Sequence, residues 1–209
     1  TALASVFAAR QDHVTLYSAS VFTGTGGDTF GASASSIALA LNWLAESGVQ
    51  AINVSLSGPP NPILESVIRR LAARGHVVVA AVGNDGPSRT VRFPAAYPEA
   101  VAVTAVDARH AVYRYANRGP EVDFSAVGVG LTVAARDGGV QSVSGTSFAA
   151  PIVTLEIARA AGPSGGAMQA KEMLRNLAAD LGAPGPDPVF GWGLIGERRA
   201  VAADTVFGR

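Results

Sequence analysis

Cysteine is absent from all 209 residues, which excludes disulfides, thiolate metal sites and a cysteine nucleophile at one stroke. It leaves the compartment open, because many exported proteins also lack cysteine. A net charge is missing too. Sixteen Lys and Arg balance sixteen Asp and Glu, so no overall field draws the chain to nucleic acid or to an anionic membrane. Long apolar runs are also lacking. The longest, His76 to Val82, has the length of a strand and falls well short of the roughly 20 residues that cross a bilayer. The first ten residues carry no basic leader, no cleavage pattern and no initiator methionine, so the chain reads as beginning inside a larger protein.

What is present is a globular composition: 48% apolar residues, 15% charged, and 24 glycines with 12 prolines that supply turns without low complexity. A single core across residues 1–209 is expected.

The apolar period changes along the chain in a regular way. Val14 to Phe22 reads as a β-branched and aromatic strand, followed by a glycine-rich loop from Gly24 to Gly31. Ile37, Leu41 and Leu44 recur at helical spacing between Ser35 and Ala45, with Gly48 as a stop. Ala51 to Leu56 is the next strand. Ile63, Val67, Ile68 and Leu71 then trace one helix face that ends near Gly75. His76 to Val82 is apolar on both parities, as a central parallel strand covered on both faces must be. Further strands are expected at Ala100 to Val106, near Val122 to Phe124 and at Leu131 to Ala134, an apolar segment at Phe148 to Ala161, and a last helix at about Met168 to Leu181. Strand and helix in alternation make an α/β fold with a mostly parallel sheet.

The sharpest local signal is Gly145-Thr146-Ser147-Phe148-Ala149-Ala150-Pro151, a tight turn that sets a serine at the mouth of a helix. Unpaired N–H groups and the positive end of the helix dipole surround such a hydroxyl. Pro151 cannot donate back to the Ser147 carbonyl, so the first turn is opened there. Taken alone, the segment also fits an ordinary helix cap. A second signal is Ala80-Ala81-Val82-Gly83-Asn84-Asp85-Gly86, a strand running into a turn; a third is Ile52-Asn53-Val54-Ser55-Leu56-Ser57-Gly58-Pro59.

Together these segments resemble the subtilisin family of serine proteases. The heptapeptide is similar to the family's Gly-Thr-Ser-x-Ala-x-Pro nucleophile motif, and Phe93 to Pro98, Val101 to Asp107, Asn117-Arg118-Gly119 and Phe190 to Leu194 extend the likeness along the chain. The resemblance implies a three-layer subtilisin-like fold, Ser147 as nucleophile and Asn84 as the oxyanion-hole residue. It implies a peptide or protein substrate lying between one wall at Ser55, Leu56, Ser57 and Gly58 and another at Ala80, Ala81, Val82 and Gly83. The small residues of the second wall suggest a roomy pocket suited to a large apolar side chain. Structural calcium in outlying loops is a family trait, but no Asp and Glu cluster here has a spacing that assigns one, so no metal or other cofactor is expected. Export to the periplasm or the medium is implied by the resemblance alone.

One departure stands out. Thr1-Ala2-Leu3-Ala4-Ser5-Val6 resembles the continuation of the family's His-Gly-Thr helix, so the catalytic histidine would stand two residues before Thr1 and the aspartate earlier still. On that alignment the first strand and part of the histidine helix are lacking, and neither His13, His76 nor His110 substitutes. The expected function is a serine endopeptidase, inactive as this chain alone and completed by an upstream segment of the same protein. The alternative is a non-catalytic peptide-binding module that keeps the cleft. A nucleotide site at Gly24-Thr25-Gly26-Gly27 finds little support, since it lacks the third glycine of a dinucleotide fingerprint and the lysine of a phosphate loop.

Overall fold

Successive residues of Val77–Ala81 belong to two different apolar layers, and that alternation organises the molecule. Val77, Val79 and Ala81 pack into one cluster, and Val78 and Ala80 into the other. The computed structural model describes residues 2–9, 15–23, 31–135, 137–161 and 166–196. In chain order the elements are α1 (Ala2–Ala8), β1 (Phe22–Thr23), β2 (Gly31–Ala32), α2 (Ala34–Glu46), β3 (Ala51–Val54), α3 (Pro62–Ala73) and β4 (Val77–Ala81). They continue with β5 (Ala100–Val106), β6 (Val122–Val127), β7 (Leu131–Ala134), β8 (Val140–Val143), α4 (Thr146–Ala161) and α5 (Ala167–Leu177).

The central sheet has the order β3-β4-β5-β6, all neighbours parallel, with Ala51 opposite Val77 and Val78 opposite Ala100. On one face lie α1, α4 and α5, whose Val6, Ala149, Ile152, Val153, Ile157 and Leu174 pack against the odd residues of β4. On the other face α2 and α3 contribute Leu41, Ala45, Leu64, Ile68 and Leu71. A parallel sheet sandwiched in this way must be apolar on both sides, and β4 and β5 are buried at every position. The α/β reading and its three layers are therefore borne out.

The helix boundaries follow from capping chemistry. Ser33 Oγ accepts from Ser36 N at 3.0 Å to start α2, and Asn61 Oδ1 accepts from Ile63 N and Leu64 N to start α3, with Pro62 in the first turn. Both helices stop before a glycine of positive φ, Gly48 and Gly75.

Three local expectations need correction. The strand read over Val14 to Phe22 is reduced to Phe22–Thr23, paired with Gly31–Ala32; residues 15–21 have no partner strand, and position 14 lies outside the described residues, as does most of the Gly24 to Gly31 loop. The last helix ends at Leu177 rather than Leu181, because Ala179 leaves it to bridge Leu194, with N–H to O distances of 3.0 and 2.8 Å. β8 was not anticipated: it is a short, solvent-facing strand that pairs with β7 across a turn at Asp137 to Gly139.

Candidate functional site

Two turns far apart in sequence meet at the carboxyl end of β4. After Ala81 the chain passes Val82 and turns at Gly83, whose φ of +108° and crowded surroundings leave no room for a side chain: a Cβ there would lie 2.8 Å from Asn117 Nδ2 and 3.0 Å from Arg92 Cγ. The turn is held from below by Asn117, which is fully buried. Its N–H donates to Gly83 O, its Oδ1 accepts from Asp85 N at 2.7 Å, and its Nδ2 donates to Thr90 O at 2.8 Å. Asn84 is thereby presented outward, with its side chain exposed.

The second turn is anchored by Gly145 N donating to Gly128 O at 2.9 Å, at the end of β6. Thr146 follows, fully buried, and its N–H and hydroxyl both donate to Asn84 Oδ1 at 3.0 Å. Because both partners of that oxygen are donors, the amide is oriented without ambiguity and Nδ2 faces away from Thr146. Among the described residues no acceptor meets Asn84 Nδ2 and none meets Ser147 N–H. Ser147 is half-buried on the first turn of α4, a helix of sixteen residues, so the positive end of its dipole lies at the hydroxyl.

Pro151 lies inside α4 and leaves the Ser147 carbonyl without its helical donor. That oxygen is taken by Ser55 Oγ at 2.8 Å, a residue 92 positions away at the end of β3, and Ser55 Oγ in turn accepts from Asn53 Nδ2 at 3.0 Å. Ser55 Oγ therefore touches the Ser147 backbone directly. Gly58 pairs with Phe93 through Gly58 N to Phe93 O at 2.8 Å and Phe93 N to Gly58 O at 3.2 Å, while Leu56 is half-buried and Ser57 exposed.

The second wall differs from the first in its burial. Ala80, Ala81 and Val82 are buried to 2% exposure or less, their side chains spent in the two core layers. Val82 N donates to Val103 O, and Val82 O accepts from Arg92 N. Only Gly83 of that group stands at the turn beside Asn84.

His76 and His110 are not assembled with the serine. His76 sits at the opposite end of β4 from Gly83, its Nδ1 2.7 Å from Val49 O, and His110 lies in the turn between Asp107 and Ala111; His13 is outside the described residues. Among the described residues no group of three His, Cys, Asp or Glu side chains is gathered as a metal ion would need. Three positions escaped the sequence reading in their roles: Thr146, Asn117 and Arg92. Thr146 and Asn117 lay inside motifs that drew attention for other reasons, and Arg92 stood immediately before Phe93-Pro94 with no local pattern to mark it.

A cavity of about 470 Å³ opens beside β3, lined by Leu3 and Phe7 of α1, Leu16 and Tyr17, Leu41 of α2 and Leu155 of α4. β3 has a neighbour on one side only among the described residues, so its other edge borders this cavity.

Comparison with known proteins agrees with this picture. The chain is 34% identical over 169 residues to subtilisin BL of Lederbergia lenta, covering 79% of this chain and 61% of that protein. It is 32% identical over 170 residues to the minor extracellular protease Epr of Bacillus subtilis (strain 168), covering 80% of this chain and 26% of the relative. It thus spans between about a quarter and three-fifths of these relatives. Among solved structures it matches the prenylagaramide maturation protease PagA with a TM-score of 0.68 at 26% identity, over 76% of this chain and 62% of that one. It matches a lanthipeptide protease in fold with a TM-score of 0.67 at 24% identity, over 80% of this chain and 65% of that one. The model of the subtilase family runs through residues 1–193, and on that match, with the motif segments gathered at one end of the sheet, the chain belongs to the subtilase family.

Proposed function

We propose that the chain is the nucleophile-bearing part of a subtilisin-type serine endopeptidase. The observation that carries this reading is the clamp of Thr146 on Asn84 Oδ1. It leaves Asn84 Nδ2 and Ser147 N–H as two donors without partners among the described residues, beside a hydroxyl at a helix amino terminus. Such donors stabilise a carbonyl oxygen as it becomes negative. In the reaction Ser147 Oγ attacks the peptide carbonyl, its proton passes to a base and then to the leaving amine, and water releases the acyl group by the reverse path.

The base and its orienting acid come, in this reading, from a segment of the same protein that precedes Thr1, and residues 1–209 alone turn over little or no peptide. Support comes from the edge of β3, unpaired among the described residues, and the apolar cavity beside it, which suit a further strand and its side chains. The substrate is a peptide or protein. Its residues on the amino side of the cut bond lie along Ser55 to Gly58, and Gly83 faces them. The likeness to the minor extracellular protease Epr favours export.

The test is a serine-directed phosphonofluoridate on the whole encoded protein, read by mass spectrometry. Ser147 is expected to carry the adduct there and to react far more slowly in residues 1–209. Labelling elsewhere with Ser147 untouched overturns the assignment. Peptide binding by the whole protein without turnover or labelling favours a non-catalytic module instead.

A further inference from the structure

Arg92 bridges the two walls. Its N–H donates to Val82 O at 3.0 Å, and the next residue, Phe93, pairs with Gly58 on the opposite side. The segment Arg92-Phe93 therefore forms the floor between Ser55–Gly58 and the Gly83 turn. The Arg92 side chain rises against Gly83, with Cγ 3.0 Å from the position a Cβ would occupy, and places Nε 3.6 Å from Asp85 Oδ2, next to Asn84. It remains 44% exposed. Asp85 is held to the turn by Asn117 Nδ2 at 3.2 Å, and its Oδ2 lies 3.6 Å from Arg92 Nε, beyond hydrogen-bond distance. The two terminal nitrogens of Arg92 have no acceptor among the described residues. They form a planar fork of donors suited to a carboxylate.

We propose that Arg92 is a specificity-determining residue that selects an acidic side chain, glutamate above all, at the substrate residue preceding the cut bond. The proposal rests on the endopeptidase reading given above and deepens it. It differs from the expectation of a roomy pocket for a large apolar side chain, which rested on the small residues of the strand. Ala80, Ala81 and Val82 are buried, whereas the Arg92 side chain lies against Gly83 and is partly exposed. Its aliphatic stem fills volume that a large apolar side chain would need, and its charged end offers an acidic one two parallel hydrogen bonds.

The test uses the whole encoded protein and peptidyl diphenylphosphonates that differ only at the residue bearing phosphorus: glutamate, glutamine, phenylalanine and lysine analogues. Each forms a bond from Ser147 Oγ to phosphorus with loss of phenol, so mass spectrometry of the Ser147 adduct gives a rate for each probe. The glutamate probe is expected to react at least about tenfold faster than the glutamine and phenylalanine probes, with the gap narrowing as salt rises. In Arg92→Ser the glutamate advantage disappears and the phenylalanine probe leads. Arg92→Lys, which keeps the charge without the fork, gives an intermediate ratio and serves if the serine variant folds poorly. A wild-type protein that takes phenylalanine at least as fast as glutamate, or ratios unchanged in both variants, overturns the role of Arg92 while leaving the nucleophile intact. Failure of every probe to label Ser147 overturns the endopeptidase reading itself.

Discussion

Asn84 and Thr146, 62 residues apart, share one oxygen: the backbone N–H and the hydroxyl of Thr146 both donate to Asn84 Oδ1 at 3.0 Å. The amide thus has two separable ends, an acceptor that holds the turn and a donor, Nδ2, without a partner among the described residues. Asn84→Asp keeps the acceptor and removes the donor, whereas Asn84→Ala removes both. In the whole encoded protein Asn84→Asp is expected to retain the wild-type melting temperature and to lose turnover with little change in KM. For subtilisins themselves the loss on removing this donor is put at about 10² to 10³ in turnover, and the same range is expected here. Asn84→Ala should lose the same activity and, in addition, about 1 kcal/mol of stability, a fall in Tm of roughly 2–4 °C. Thermal denaturation alongside kcat and KM checks the split.

The bond from Ser55 Oγ to the Ser147 carbonyl replaces one that Pro151 cannot make. Ser55→Ala is expected to cost about 1 kcal/mol. In a Pro151→Ala background the helix regains a backbone N–H for that carbonyl, so the same substitution should cost less. The double-mutant cycle, read from urea midpoints, should give a coupling on the order of 0.5–1 kcal/mol.

Lys171 Nζ lies 3.0 Å from Asp123 Oδ1, both side chains 15% exposed or less, while Asp123 Oδ2 accepts from Ala102 N. This pair fastens α5 to the sheet. Lys171→Met leaves a buried carboxylate without its counter-ion and should lower stability by about 3 kcal/mol. Adding Asp123→Asn removes the stranded charge but keeps an acceptor for Ala102, so the double variant is expected to be more stable than Lys171→Met alone. Chemical denaturation of the three proteins decides it.

Gly193 has a φ of +118°, and a Cβ there would fall 2.1 Å from Ala179 O; Gly185 has a φ of +79° and open space around it. Gly193→Ala should therefore cost at least about 3 kcal/mol through collision with backbone, and Gly185→Ala only about 1 kcal/mol through its backbone angle. Matching denaturation midpoints for the two variants would show that the collision contributes nothing.

Much of this architecture was legible in the residues. Val77–Ala81 is apolar on both parities because helices cover both faces, and the stops at Gly48 and Gly75 are local chemistry. What escaped was decided at a distance. The end of α5 depends on Ala179 meeting Leu194, and the strand expected over Val14 to Phe22 had no neighbour to pair with in residues 15–21. At the site, the carbonyl that Pro151 strips of its donor could be foreseen from the sequence, but not that Ser55 would supply another. Asn84 was read as a donor; its acceptor duty toward Thr146 appears only when two turns meet. Ala80 to Val82, expected along a substrate wall, have their side chains in the two core layers, because the sheet is covered on both faces.

The proline in α4 also governs how freely the serine can move. A helix that fails to close its own first rung takes its stiffness there from the strand alongside, and that strand has one unsupported border among the described residues. Through Ser55 Oγ, then, the first turn of α4 is tied to the sheet's own border, and a substitution that shifts the end of β3 will be felt at the Ser147 backbone.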